Sequence, residues 1–177
     1  SHHWERRYGL ATKWFQEAAA ASPSYPPALH FLGWARYHAG DATGSQQAFM
    51  DHLQLQPDEG DSHFALGVLA LERGDLNEAD RRLMRAITLQ RPLPDRQDGV
   101  AKALARRAEV IQAQGGPLTQ ATACLQEAVA LDPNLYEAYF NLARLLRRLN
   151  RLDEAAAAEA IGVETRDRLD AQRVRPR

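Results

Sequence analysis

The chain has 177 residues, 45% of them hydrophobic and 25% charged, with a net charge of -1. That is the balance of a folded globular chain, with no basic surplus for nucleic acid or an acidic membrane surface. A single cysteine, Cys124, excludes an internal disulfide framework, and no run of about 20 apolar residues or secretory-signal pattern is present, so a soluble protein is expected and a cytoplasmic location is favoured.

Helical periodicity starts near the N-terminus. After "SHH", which is compatible with a tag remnant and carries no argument, "GLATKWFQEAAAASP" reads as the second helix of a pair, with Ala11, Phe15, Ala18 and Pro23 in place and the first helix missing or cut short. Residues 1–25 are therefore a partial repeat. Within residues 26–59, "PPALHFLGWARYHAG" is a first helix closing at Gly40, and "DATGSQQAFMDHLQLQP" is a second helix stopped before Pro57. Residues 60–93 follow the same plan 34 residues on: Leu32-Gly33 returns as Leu66-Gly67, Gly40-Asp41 as Gly74-Asp75, Phe49 as Leu83, and Pro23 and Pro57 keep the interval. A glycine inside a helix costs about 1 kcal/mol relative to alanine. Gly33 and Gly67 offset that cost if the partner helix crosses closely there, with Ser45, Ala79, Ala121 and Ala155 as the matching small residues.

From Arg91 to Pro133 the spacing is 42 rather than 34, placed as about seven extra residues in "LPDRQDG" and one in "GGPL". Residues 94–100 are thus an insertion and a looser connection. Beyond it, residues 101–135 fall into register through Leu104, Ala108 and Ile111, with Cys124 in the core, and residues 136–170 form the last repeat. After Ala155 the pattern fades; Gly162 and then Arg-Pro are expected to end the helix, leaving 171–177 as a tail and the whole stretch as a solvated terminal cap.

This pattern resembles the tetratricopeptide repeat family, whose unit is 34 residues with a W-x2-L-G-x2-Y type first helix and a later small, aromatic, small, proline series. The residues carrying it are Leu29, Leu32, Gly33, Ser45, Phe49 and Pro57; then His63, Leu66, Gly67, Ala79, Leu83 and Ala86; then Ala121, Leu125, Ala128 and Pro133; then Tyr139, Leu142, Ala143 and Ala155. His52 replaces the usual alanine and Arg36 the usual aromatic. The resemblance implies an all-α fold, a right-handed α-solenoid or superhelix of stacked antiparallel helix pairs, here one domain over 1–177. It also implies that certain first-helix positions line a concave groove.

In this sequence the groove positions give an aromatic and imidazole half, with His30, Phe31, Trp34, Tyr37, His38 and Phe64, and a cationic half, with Lys102, Arg106, Phe140, Asn141, Arg144, Arg147 and Arg148. His30, Trp34, Tyr37, Phe64, Lys102, Arg106, Phe140, Asn141, Arg144 and Arg148 are the candidate peptide-binding residues. Bulky rings bury much area at low entropic cost, and arginine binds carboxylates in pairs of hydrogen bonds, so a protein or peptide with apolar and acidic residues fits. The alternative is structural: Phe31 and Trp34 pack on a neighbouring helix, and the arginines solvate a face or pair with Glu137 and Asp153. Lys102 and Arg106 match one element of the carboxylate clamp that some relatives use for acidic chaperone tails. His30, Trp34 and Ala65 stand where its other elements require Lys or Asn, so that binding mode is not expected.

Six histidines come without HExxH, Cys-rich or paired-carboxylate spacing, and His52 and His63 fall at packing positions, so no metal is expected. No phosphate-loop or nucleophile signature occurs, and "QGGPL" is a turn between helices. The expected function is a non-catalytic protein-protein interaction module without cofactor, nucleic-acid or membrane partner. Two alternatives stand beside it: a regulatory or substrate-presenting segment of a larger enzyme, and a scaffold self-associating through an apolar edge around Trp4, Tyr8 and Phe15. The chain is then a monomer or a weak homo-oligomer.

Overall fold

Each glycine-aspartate step ends one helix and starts the next. Gly40 and Gly74 take φ of 83° and 82°, the left-handed conformation that turns the chain out of a first helix. The following aspartates cap the second helices: Asp41 accepts a hydrogen bond from the Gly44 amide at 2.8 Å and Asp75 accepts one from the Glu78 amide at 3.2 Å. Gly115 (φ 69°) and Asn150 (φ 57°) hold the same offset in the repeats begun at 101 and 136, which places all four turns in one register.

The computed structural model describes the backbone of residues 2–174 and the side chains of residues 6–174; the side chain of Trp4 and the last three residues of the expected tail lie outside the described residues. Among the described residues there are nine α-helices and no strand: α1 (His2–Ala21), α2 (Pro26–His38), α3 (Ala42–Leu55), α4 (Gly60–Arg73), α5 (Leu76–Gln90), α6 (Gln97–Ala113), α7 (Leu118–Leu131), α8 (Tyr136–Arg148) and α9 (Leu152–Val174). None of the described helices is long and apolar enough to cross a membrane. The chain divides into two compact units, Ser1–Leu89 and Gln90–Arg177.

In the first unit, α1 packs on α2, α2 on α3 and α3 on α4. The Phe49 ring of α3 is fully buried against Ala65, Leu66 and Leu69 of α4. The close crossings expected at the helix glycines are present. A Cβ placed on Gly33 would come within 2.7 Å of the Phe49 ring, and one on Gly67 within 2.8 Å of Leu83 Cγ. Ser45 adds to its small size a buried hydrogen bond, its hydroxyl donating to the Gly33 carbonyl at 2.8 Å.

In the second unit, α6 packs on α7, α7 on α8 and α8 on α9. Leu104, Ala108 and Ile111 of α6 and Ala121, Leu125 and Ala128 of α7 are core residues, and Cys124 is buried and forms no disulfide. Two expectations change here. The insertion is ordered secondary structure: Pro94–Arg96 form a 3-10 turn and residues from Gln97 onward belong to α6. The Gln97 side-chain amide donates to the Arg91 carbonyl at 3.0 Å and to the Leu93 carbonyl at 2.8 Å, satisfying backbone groups that a loose loop would leave to water. Nor does Gly162 end a helix. α9 runs through it to Val174, and Gly162 is buried where a Cβ would sit 3.1 Å from both Phe140 Cε1 and Tyr139 Cβ. Its missing side chain makes room for α8.

Candidate functional site

Four of the candidate residues lie together on the first unit: His30, Trp34, Tyr37 and Phe64. The Trp34 ring stands edge-on to Tyr37 (centroids 5.6 Å, 87°) and lies 6.3 Å from Phe64. On its inner side it meets the buried Phe49 at 5.3 Å, so α2 and α3 fix its orientation while part of the indole stays open to solvent. The Tyr37 hydroxyl donates to the Glu72 carboxylate across the α2–α4 step. Sequence reasoning passed over Glu72 as Tyr37's partner. The signal was present, because Tyr37 and Glu72 hold adjacent positions in successive repeats and adjacent first helices stack.

His30 is more engaged than expected. Its ring packs at 5.7 Å from His52 and 6.2 Å from Phe49 on the second helix of its own pair. Phe140 occupies the same repeat position as His30, and Gly162 the same position as His52; accordingly Phe140 packs beneath α9, with the Arg166 guanidinium 5.7 Å over its ring. Phe31 and His38 are engaged by α1 through stacked contacts with Phe15 (5.3 Å) and Tyr8 (4.9 Å).

The cationic candidates sit on α6 and α8 of the second unit. Lys102 is exposed, and Arg106 one turn away donates to both Glu109 oxygens at 3.2 Å. On α8, Arg144 donates to the Asn141 side-chain oxygen at 3.0 Å, and Arg148 is exposed. The neighbouring arginines pair with residues other than the expected Glu137 and Asp153: Arg147 with Glu159, and Arg151 with Glu154 at 2.6 Å. Among the described residues no group of three or more His, Cys, Asp or Glu is placed to hold a metal ion.

Two buried histidines lie in the first unit. His52 Nδ1 lies 2.6 Å from the Ser62 hydroxyl; burial, reinforced by His30, holds its pKa below the ordinary value against Glu59 and Asp61 nearby. His63 Nε2 faces the Pro57 carbonyl at 3.0 Å, which can only accept, so Nε2 carries the proton and Nδ1 receives Arg82 at 3.3 Å. Burial again lowers its pKa, with Arg82 and Arg85 acting in the same direction and the Pro57 hydrogen bond and Glu59 opposing. The folded chain therefore binds fewer protons than the unfolded chain just below the ordinary histidine pKa. Stability is full above that value and is lost as the pH falls through the lowered folded values. Thermal melts of the first unit should move to lower temperature as the pH is taken from about 7.5 to about 5.5, and His52→Leu should flatten that dependence; an equally steep dependence in the variant would clear His52 of the effect.

Antiparallel helix pairs with a small residue at each crossing and a left-handed residue at each turn define an α-helical repeat protein. Residues 124–157 match the family model described as tetratricopeptide repeat. The fold is shared with the pilF protein of Pseudomonas aeruginosa, at 16% identity and a TM-score of 0.79 over 90% of this chain and 69% of that one. It is shared too with a thermophilic TPR protein of Thermus thermophilus, at 25% identity and a TM-score of 0.71 over 90% and 83%. The matched segment and the shared fold support a protein of the tetratricopeptide repeat type. The chain is also similar to the cytochrome c-type biogenesis protein CycH of Rhizobium meliloti (strain 1021), 37% identical over 108 residues, or 61% of this chain and 27% of the relative, so it spans about a quarter of that protein's length. Repeats of this family generally mediate protein-protein interaction and are typically non-catalytic.

Proposed function

We propose that the chain is a polypeptide-binding module acting in the biogenesis of c-type cytochromes. The observation that carries the binding role is the half-open cluster of Trp34, Tyr37 and Phe64, fixed by Phe49 below and Glu72 beside it. Oriented rings lose little entropy when a partner covers them, which is why aromatic anchors dominate binding energy at interfaces. This surface takes bulky apolar side chains, and Lys102, Arg106, Arg144 and Arg148 offer cations to acidic ones. The likeness to the CycH protein supports the biological setting.

The test is calorimetric titration of the chain with a haem-free c-type cytochrome polypeptide. Binding is expected, and a Tyr37→Ala, Arg144→Ala, Arg148→Ala variant of native helicity should bind at least about tenfold more weakly, or ~1.4 kcal/mol. Equal affinity in the variant would remove these residues of the two units from partner binding, and absence of binding by the native chain would remove the cytochrome role.

Self-association has its own observation: Leu10 and Trp14, one turn apart on α1, are 54% and 67% exposed. Light scattering over a dilution series separates it, since a monomer keeps one mass throughout.

A further inference from the structure

The sequence "DRRLMRA" in α5 places Arg81 and Arg85 one turn apart with Arg82 beside them, on a second helix, away from the first-helix residues discussed above. The three arginines line a recess of about 400 Å³ together with His63, Met84 and Thr88. We propose that this recess is an oxyanion site, taking the carboxylate of an acidic residue or a phosphate group, independent of the aromatic surface.

Arg82 is the fixed element. Its Nε donates to Glu78 at 2.7 Å, one terminal nitrogen donates to His63 Nδ1 at 3.3 Å, and the other reaches Met50 Sδ at 3.6 Å. A guanidinium has five N–H groups, so these contacts hold the plane and still leave donors for a ligand. The Pro57 carbonyl fixes the His63 proton on Nε2, and Nδ1, accepting from the Arg82 guanidinium, is unprotonated, so the recess floor is oriented by a ring that adds no competing charge.

The flanking cations are held loosely. Arg85 pairs with Asp58 at 2.8 Å, where the two side chains are 48% and 76% exposed, and Arg81 pairs with Glu78 while 70% exposed. Exposed pairs of this kind contribute little and exchange readily for another anion. Glu78 is committed to Arg81 and Arg82: burial pushes its pKa up, but their hydrogen bonds hold it below the ordinary value. Three guanidinium groups face the carboxylates of Glu78 and Asp58, with Glu59 near His63, so the recess would hold an oxyanion through oriented N–H donors and exchangeable ion pairs rather than through a surplus of charge. Paired N–H donors on a recess wall match the geometry of an oxyanion better than that of chloride.

Chemical-shift titration of the isotope-labelled chain at constant ionic strength, with inorganic phosphate and separately with glutarate as probes, tests the site. Saturable shifts at His63, Met84 and Thr88 are expected, with a dissociation constant on the order of 1 mM. The Arg81→Gln, Arg85→Gln double variant keeps every contact of Arg82 and should bind at least about fivefold more weakly. Saturation by phosphate alone assigns the site to phosphate-bearing ligands, and saturation by glutarate assigns it to acidic side chains. No saturable shift at these residues with either probe, or a smaller loss in the double variant, overturns the proposal.

Discussion

Phe49→Ala is expected to remove about 3–5 kcal/mol from the stability of the first unit. The ring is fully buried, packs on Ala65, Leu66 and Leu69, and supports Trp34 edge-on at 5.3 Å. Removing it forfeits the transfer energy of a large apolar group and leaves a cavity that two helices crossing at a glycine cannot close. A domain holds only about 5–15 kcal/mol in total, so the variant sits near its unfolding threshold. Urea unfolding followed by tryptophan fluorescence measures the change, and a loss under about 1 kcal/mol would be incompatible with a ring at the centre of the core.

Gly33→Val should cost the same unit about 2–3 kcal/mol by overpacking. The new Cβ would meet Phe49 Cζ at 2.7 Å and both neighbouring ring carbons at 2.8 Å. The ring is walled in by α4 and has nowhere to move. Relief by separating the helices would break the buried Ser45 hydroxyl to Gly33 carbonyl hydrogen bond. Helix propensity gives back only a few tenths of a kcal/mol on replacing glycine by valine. Gly9, in α1, supplies the contrast. A Cβ there meets nothing within 4 Å, so Gly9→Ala should stabilise by about 1 kcal/mol. Opposite signs at the two positions, measured in one denaturation series, separate close approach from helix propensity; a neutral Gly33→Val would remove the crossing from the account.

The pairing of Gly33 with Phe49 and of Gly67 with Leu83 was legible in the sequence because a fixed interval brings both partners back together, and sterics allow few other reasons for a mid-helix glycine. Gly162, expected to end a helix, is instead set by its register. It stands at the repeat position of His52 and Ala86, where the second helix meets the first, and the large Phe140 opposite it requires the smallest residue. The order of the 94–100 segment involves a side chain, Gln97, closing on carbonyls behind it, which no periodicity encodes. Among the candidate binding residues, repeat position predicted which helix carries each, yet not what its tip touches. His30 and Phe140 turn toward their own second helices, whereas Trp34 meets both Tyr37 and Phe64. The α5 arginines lie on a second helix, outside the first-helix positions that the family resemblance marks as lining a groove.

The three tryptophans, Trp4, Trp14 and Trp34, all precede Leu89, and the one cysteine, Cys124, follows it. Intrinsic indole emission is thus a reporter of the first unit only, and thiol accessibility a reporter of the second only, with Cys124 silent until its surroundings open. The natural chain carries two separate optical and chemical clocks, and the difference between their readings is a direct measure of how far its two halves melt as one.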